Sequence, residues 1–209
     1  MMIGNQMLYR TLSCRTGRLT KPVEPVRVLL LVLLTGTGLG TLLVRYVPKA
    51  AQMPLLTQGL AASDGLRTLW DVFCTAAVPM CVLLGVTLLL GGWGWGQPFL
   101  AALMLSRGIA AGLAVSDCFL RLGLRAGICT AGTVILPYAL LSVILLVYPV
   151  KEALTLSCRI TVYLVRGNAD PEIGAKQHKL WMTVLRSLLL TAPAAGLHTL
   201  LVFATDRIF

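Results

Sequence analysis

Long, uninterrupted apolar blocks constrain this chain more than any other feature. Five of them, at residues 28–44, 69–90, 98–120, 126–148 and 180–204, are separated by shorter polar stretches. A soluble core would break up its apolar residues every few positions, and these blocks do not. A helix needs about 17–25 such residues to cross the hydrocarbon of a bilayer. Only 12% of the residues are charged and mean hydropathy is +0.83, whereas a soluble domain carries about 25% charged residues. So little charge cannot coat a globular surface. The expected fold is an all-α, polytopic transmembrane helical bundle of about five spans, with lipid as its solvent.

The formal net charge is +10, from 18 Lys and Arg against 8 Asp and Glu. The basic residues gather at the ends of apolar blocks, where they set topology and meet lipid headgroups. No basic stripe is interleaved with exposed aromatics, so nucleic acid is not an expected partner. Residues 1–27 form a polar arm with Arg10, Arg15, Arg18, Lys21 and Arg27 against Glu24 alone. Placing this arm in the cytoplasm puts it on the same side as Lys151, Arg159, Arg166, Lys176 and Lys179. The other side then holds Arg45, Lys49, Arg67, Arg121, Arg125 and Arg207. Ten against six favours a multi-pass protein of the cell membrane with its N-terminus cytoplasmic and its C-terminus outside. No A-x-A-like site follows the first block, so it reads as an uncleaved anchor.

The connectors add detail. Residues 45–67 make the longest outside loop. Trp70 at one end of the second block, with Trp93 and Trp95 just past the other, fits an interfacial belt. The run Gly91-Gly92-Trp93-Gly94-Trp95-Gly96 reads as a tight re-entry turn. Residues 151–166 carry Leu156, Ile160, Tyr163 and Leu164 on one helical face and Glu152, Arg159 and Arg166 on another. This pattern predicts one amphipathic interfacial helix, or an extension of the fourth span. Asn168, Asp170 and Pro171 then break the chain before the fifth span.

Few residues within the spans could carry chemistry. Arg107 interrupts the third span about 14 Å past its inner boundary. A guanidinium there must either snorkel to an interface or face the bundle interior. Arg186 lies nearer an edge and reads as a snorkeller. Asp117 stands too far along the helix to meet Arg107 and instead reaches Arg121 at i,i+4 spacing. Asp71 lies at the outer end of the second span. Small residues at four-residue spacing, Gly36/Gly40, Gly108/Gly112 and Ala192/Gly196, let helices approach closely or dock a partner helix. Pro137 removes a rung from the fourth span and should kink it. His198 is expected to make an interhelical hydrogen bond. The candidate packing or docking residues are therefore Arg107, Gly108, Gly112, Asp117 and Pro137.

Catalytic patterns are missing. The sequence holds no HExxH, GxSxG or Walker A run and no pair of titratable groups spaced for acid–base work. Cys14, Cys74, Cys81, Cys118, Cys129 and Cys158 form no CxxC pair and read as small packing residues. An enzyme is not expected, nor a cofactor or a metal.

Two segments carry a family resemblance. Leu105-Ser106-Arg107-Gly108-Ile109-Ala110-Ala111-Gly112 and Val134-Ile135-Leu136-Pro137-Tyr138-Ala139-Leu140-Leu141 resemble the basic-then-glycine and Leu-Pro motifs of the stage II sporulation protein M family of endospore-forming bacteria. The resemblance runs from about residue 28 to the C-terminus. After the proline that family often has His-Gly or Gln-Asn, where Tyr138, Ala139 and, further on, Ser142 stand here. The resemblance implies a non-enzymatic membrane scaffold that anchors a peptidoglycan-remodelling complex during engulfment. The implied partners are cell-wall hydrolases, an amidase/endopeptidase and a lytic transglycosylase. Arg107, Pro137 and Asp117 within or beside the spans keep a second expectation open: a small transporter or permease subunit.

Overall fold

The structure, a computed structural model, describes residues 25–47, 68–166 and 172–206. The N-terminal arm up to residue 24, most of the 45–67 connector and the breaker segment 167–171 lie outside the described residues. All regular structure among the described residues is helical. Four helical stretches are long and apolar enough to cross a membrane: Pro25–Tyr46, Leu69–Gly91, Gln97–Val165 and Ile173–Thr205.

Helix α1 (Pro25–Tyr46) opens on a proline, whose missing N–H is no loss in a first turn. Helix α2 (Leu69–Gly91) opens on a capping box: Thr68 Oγ1 accepts from the Asp71 amide and the Asp71 carboxylate accepts from the Thr68 amide, both at 3.3 Å. This uses two donors that a helix start otherwise leaves without partners. Helix α3 (Gln97–Thr130) follows the Gly/Trp turn and carries proline in its first turn.

The third long stretch departs from expectation. Helical hydrogen bonding continues past the end of the 98–120 block, where a loop to the next span was expected. The one residue off helical geometry is Gly123, at φ 74 and ψ 179. That left-handed angle is open to glycine without the Cβ penalty. It reverses the chain: Cys118 Sγ reaches the Gly127 carbonyl at 3.8 Å, and a Cβ on Gly127 would meet Phe119. Hence five apolar blocks become four helical stretches, the third being a hairpin bent at Gly123.

The second arm of the hairpin begins irregularly. Residues Ala131–Ile135 form a π turn, closed by the Leu136 amide on the Ala131 carbonyl. Pro137 comes two residues later and can donate nothing to the ladder, which explains a widened turn at this place. Helix α4 (Leu136–Arg166) then runs on as one helix, with Pro149 inside it. The 151–166 stretch is thus the continuation of α4 and not a separate interfacial helix. Its hydrophobic face is needed for packing: Leu156 is buried and Ile160 packs on the same core. Helix α5 is Ile173–Asp206.

Contacts fix the directions. Gly36 lies against Leu105 and Gly108, Gly40 against Ile109, and Gly112 against Thr37 and Thr41. The numbers rise together, so α1 and α3 run parallel. Ala76 meets Tyr138 and Gly91 meets Ala153, so α2 and α4 are also parallel to each other. Leu180 beside Gly91 and Ala195 near Ala76 set α5 antiparallel to α2.

Two core layers result. One holds large side chains, including Met80, Leu84, Leu100, Met104, Leu146 and Leu180. The other is built on Ala76, Ala110, Ala114 and Ala195 with Tyr138 and Ile135. In lipid there is no hydrophobic drive between helices, so close van der Waals contact and hydrogen bonds do the holding. The alanine layer brings the backbones close. Leucines, valines and isoleucines such as Leu31, Leu34, Val82, Leu89, Ile144 and Leu189 cover the outside.

Candidate functional site: a polar cluster inside the bundle

Arg107 lies between the two core layers and is 1% exposed. It faces the interior and does not snorkel. Its helix turn is held there by the glycines that follow. A Cβ on Gly108 would come within 2.3 Å of the Leu33 carbonyl oxygen, and one on Gly112 within 2.2 Å of that of Thr37. The α1–α3 contact is therefore backbone on backbone, and it aims Arg107 away from α1 toward the remaining helices. Gly196, of the third small pair, has open space around it, so Ala192/Gly196 makes no such contact among the described residues.

The Arg107 guanidinium carbon is 5.9 Å from the centroid of the Tyr138 ring. This is near the limit of about 6 Å for a cation–π contact, so roughly 0.5–2 kcal/mol is the appropriate range. Placing arginine at mid-span costs about 2.5–3.5 kcal/mol on insertion scales. Tyr138 thus offsets part of that cost and not all of it.

Tyr138 is 2% exposed, and each part of it is used. Its ring stacks on the His198 imidazole at 4.4 Å between centroids. Its hydroxyl donates to the Ala76 carbonyl at 2.7 Å. The Ala76 carbonyl lies one residue from that of Thr75, which Pro79 cannot serve. His198 is 4% exposed, and its Nδ1 makes no hydrogen bond among the described residues. Arginine from α3, tyrosine from α4, histidine from α5 and a carbonyl from α2 therefore meet at one level. Pro137 has its effect here indirectly, since the π turn ahead of it and the start of α4 position Tyr138.

Asp117 is not part of this cluster. It accepts from Arg121 Nε at 2.9 Å near the hairpin bend. Asp71 caps α2 at the same end. Glu152 and Glu172 lie at the other end, where Glu152 accepts from Lys179 at 2.8 Å and Glu172 from Arg159 at 2.6 Å. Two of the charges spaced seven apart along 151–166 thus serve to tie α4 to α5. Of the cysteines, Cys118 alone is buried among the described residues, while Cys81, Cys129 and Cys158 face outward and so are not interior packing residues.

A second set of polar contacts secures the Gly/Trp turn. Ser157 Oγ donates to the Trp93 carbonyl at 2.8 Å, and Thr161 Oγ1 donates to that of Gly94. A Cβ on Gly91 would strike Ala153 and Leu180. The turn is therefore pinned onto α4, with Trp93 and Trp95 pointing outward.

Sequence reasoning singled out Arg107 and Pro137 but gave Tyr138 no role. An aromatic beside a proline in an apolar run carries no periodic signal of its own. The stacking with His198 joins residues far apart in the chain. No family model, no curated protein and no solved structure matches this chain.

Proposed function

We propose that this chain is a non-enzymatic membrane scaffold that anchors a peptidoglycan-remodelling complex during engulfment in endospore formation. It crosses the bilayer five times, N-terminus cytoplasmic, with the hairpin bent at Gly123 contributing two passes. The alternating helix directions support five passes, as do exposed Trp93, Trp95 and Trp181 at one end and Trp70 at the other. One observation carries the scaffold reading. The two segments that resemble the sporulation family meet in the bundle centre, where Gly108 and Gly112 pack on α1 and Arg107 lies over Tyr138, a residue that departs from the family's pattern and bonds Ala76.

In this reading the cell-wall chemistry belongs to partner hydrolases, an amidase/endopeptidase and a lytic transglycosylase. The outer surface offers them the hairpin bend, where Leu120, Leu122 and Leu124 are exposed. By helix rise the bend stands about 24 Å beyond Arg107, whereas α2 begins only about 10 Å beyond Ala76 at that level. The bend therefore overtops its neighbour. Tagged protein extracted from sporulating cells in mild detergent should bring down cell-wall hydrolases. Recovery of the intact protein without them would refute the scaffold.

The second reading is a small transporter or permease subunit using Arg107, favoured by the burial of this charge beside His198. It predicts that Arg107→Leu abolishes solute flux in reconstituted vesicles. Under the scaffold reading there is no flux to lose.

A further inference from the structure

We infer that the outer seam between α4 and α5 is a binding site for the headgroup phosphate of an anionic phospholipid, held by Arg186 and Lys179. The inference stands whichever functional reading holds, because it concerns a face turned to lipid. The ion pair of Lys179 with Glu152, at 2.8 Å, bridges the seam and marks which faces of the two helices adjoin. Lys179 and Arg186 are seven residues apart, so they share one face of α5 about 10 Å apart along it. Tyr148 comes one turn before Glu152 on α4 and is exposed. Leu180 and Ala153 both pack where a Cβ on Gly91 would lie, so these two residues are level. Counted from them toward the bundle centre, Arg186 and Tyr148 stand about 9 and 8 Å deeper.

Arg186 is exposed and has no ion-pair partner among the described residues. The acids at this end among the described residues, Glu152 and Glu172, already face Lys179 and Arg159. A guanidinium at such depth calls for an anion. Exposed Trp181, five residues earlier, marks the interface about 8 Å away. An arginine stem covers that distance by snorkelling, which brings the guanidinium up toward Lys179. Lysine has three N–H donors, and Lys179, its side chain 58% exposed, keeps donors beyond the one that Glu152 takes. Further in, the same two helices expose only apolar side chains along these faces, Ile144 and Leu140 after Tyr148 and Leu190 after Arg186. Cations above an apolar track fit an amphiphile with its phosphate at the interface and its acyl chains alongside the helices.

The test uses full-length detergent-solubilised protein, equilibrated with equal amounts of phosphatidylglycerol and phosphatidylcholine and read by native mass spectrometry. The site predicts preferential retention of phosphatidylglycerol. Arg186→Gln should lower that preference about fivefold, and Arg186→Lys should keep most of it. Arg27→Gln removes the same charge at the same end from α1, which packs on α3, and should leave the preference nearly unchanged. Excess inorganic phosphate should not displace the lipid. If Arg186→Gln does not fold, Lys179→Gln and the phosphate competition decide. Equal retention of the two lipids by the unaltered chain would overturn the site. So would equal losses in Arg186→Gln and Arg27→Gln, which mark diffuse attraction, or displacement by phosphate, which marks a soluble ligand.

Discussion

The hydroxyl of Tyr138 donates to the carbonyl of Ala76 across 2.7 Å, joining two helices near the places where proline interrupts each of them. Pro79 lies one turn beyond Ala76 in α2, and Pro137 immediately precedes Tyr138 in α4. Proline leaves backbone acceptors short of a donor, and inside a bilayer no water is at hand to replace it. The carbonyl that Pro79 leaves short is that of Thr75, one residue before the carbonyl that Tyr138 reaches. The bond between the two helices thus lies beside the proline defect and does not repair it.

Tyr138→Phe removes this bond together with the hydrogen bond that the hydroxyl accepts from Arg107, while the ring can still stack on His198. Interhelical hydrogen bonds in membranes contribute about 0.6 kcal/mol on average and about 1.7 at most. Tyr138→Phe should therefore lower stability within that range in a reversible unfolding assay. Tyr138→Leu should cost more, because the cation–π contact and the stacking are lost as well. A double-mutant cycle with Arg107→Leu measures the ring's share.

The α1–α3 contact should be intolerant of a single added methyl. Gly36→Ala, Gly40→Ala, Gly108→Ala and Gly112→Ala each place a Cβ within 2.5 Å of a backbone oxygen on the facing helix. Each should destabilise by about 1–3 kcal/mol as the helices are forced apart. Gly38→Ala is the internal control, since nothing lies near its Cβ. Disulfide trapping between cysteines placed at Thr37 and Ile109 would read the separation, with trapping slowed in the first four variants and unchanged in the control.

Gly123 tests the bend by a different mechanism. Its Cβ would meet nothing, yet its φ is 74. Gly123→Ala should cost about 1–2 kcal/mol through backbone strain alone. Gly123→Asn should lose about as much, because ψ 179 lies outside the left-handed helical region that asparagine tolerates. Steric crowding as the cause would instead make asparagine clearly the worse of the two, and the same unfolding assay distinguishes them.

The proposed five passes would put Leu122 and Leu164 on opposite sides of the membrane. A membrane-impermeant thiol reagent applied to intact cells should label Leu122→Cys in a cysteine-free background. Leu164→Cys should be labelled only after permeabilisation. Labelling of both from the same side would contradict the alternating topology.

Much of this architecture is readable from the residues. The apolar blocks locate α2 to within a residue or so because the polar connector ending at 67 and the run from Gly91 to Gly96 bound it on both sides. The glycine pairs of α1 and α3 stand out because small residues four apart have few other uses on a membrane helix. Other features depend on partners that the local pattern does not reveal. Helix continuity from Ala131 through Arg166 was hidden by Pro137 and by the charges of 151–166. The proline is absorbed by a π turn, and Glu152 and Arg159 are taken up by ion pairs to α5. Tyr138 and His198 acquire meaning only when the hairpin and α5 close on each other.

The central claim is that this chain holds other proteins in place. It is tested most directly by depleting the chain in sporulating cells that carry fluorescent cell-wall hydrolases, and following those hydrolases at the septal membrane. The account predicts that they disperse while their activity on isolated cell wall is unchanged. Hydrolases that remain at the septum after the chain is gone would contradict it.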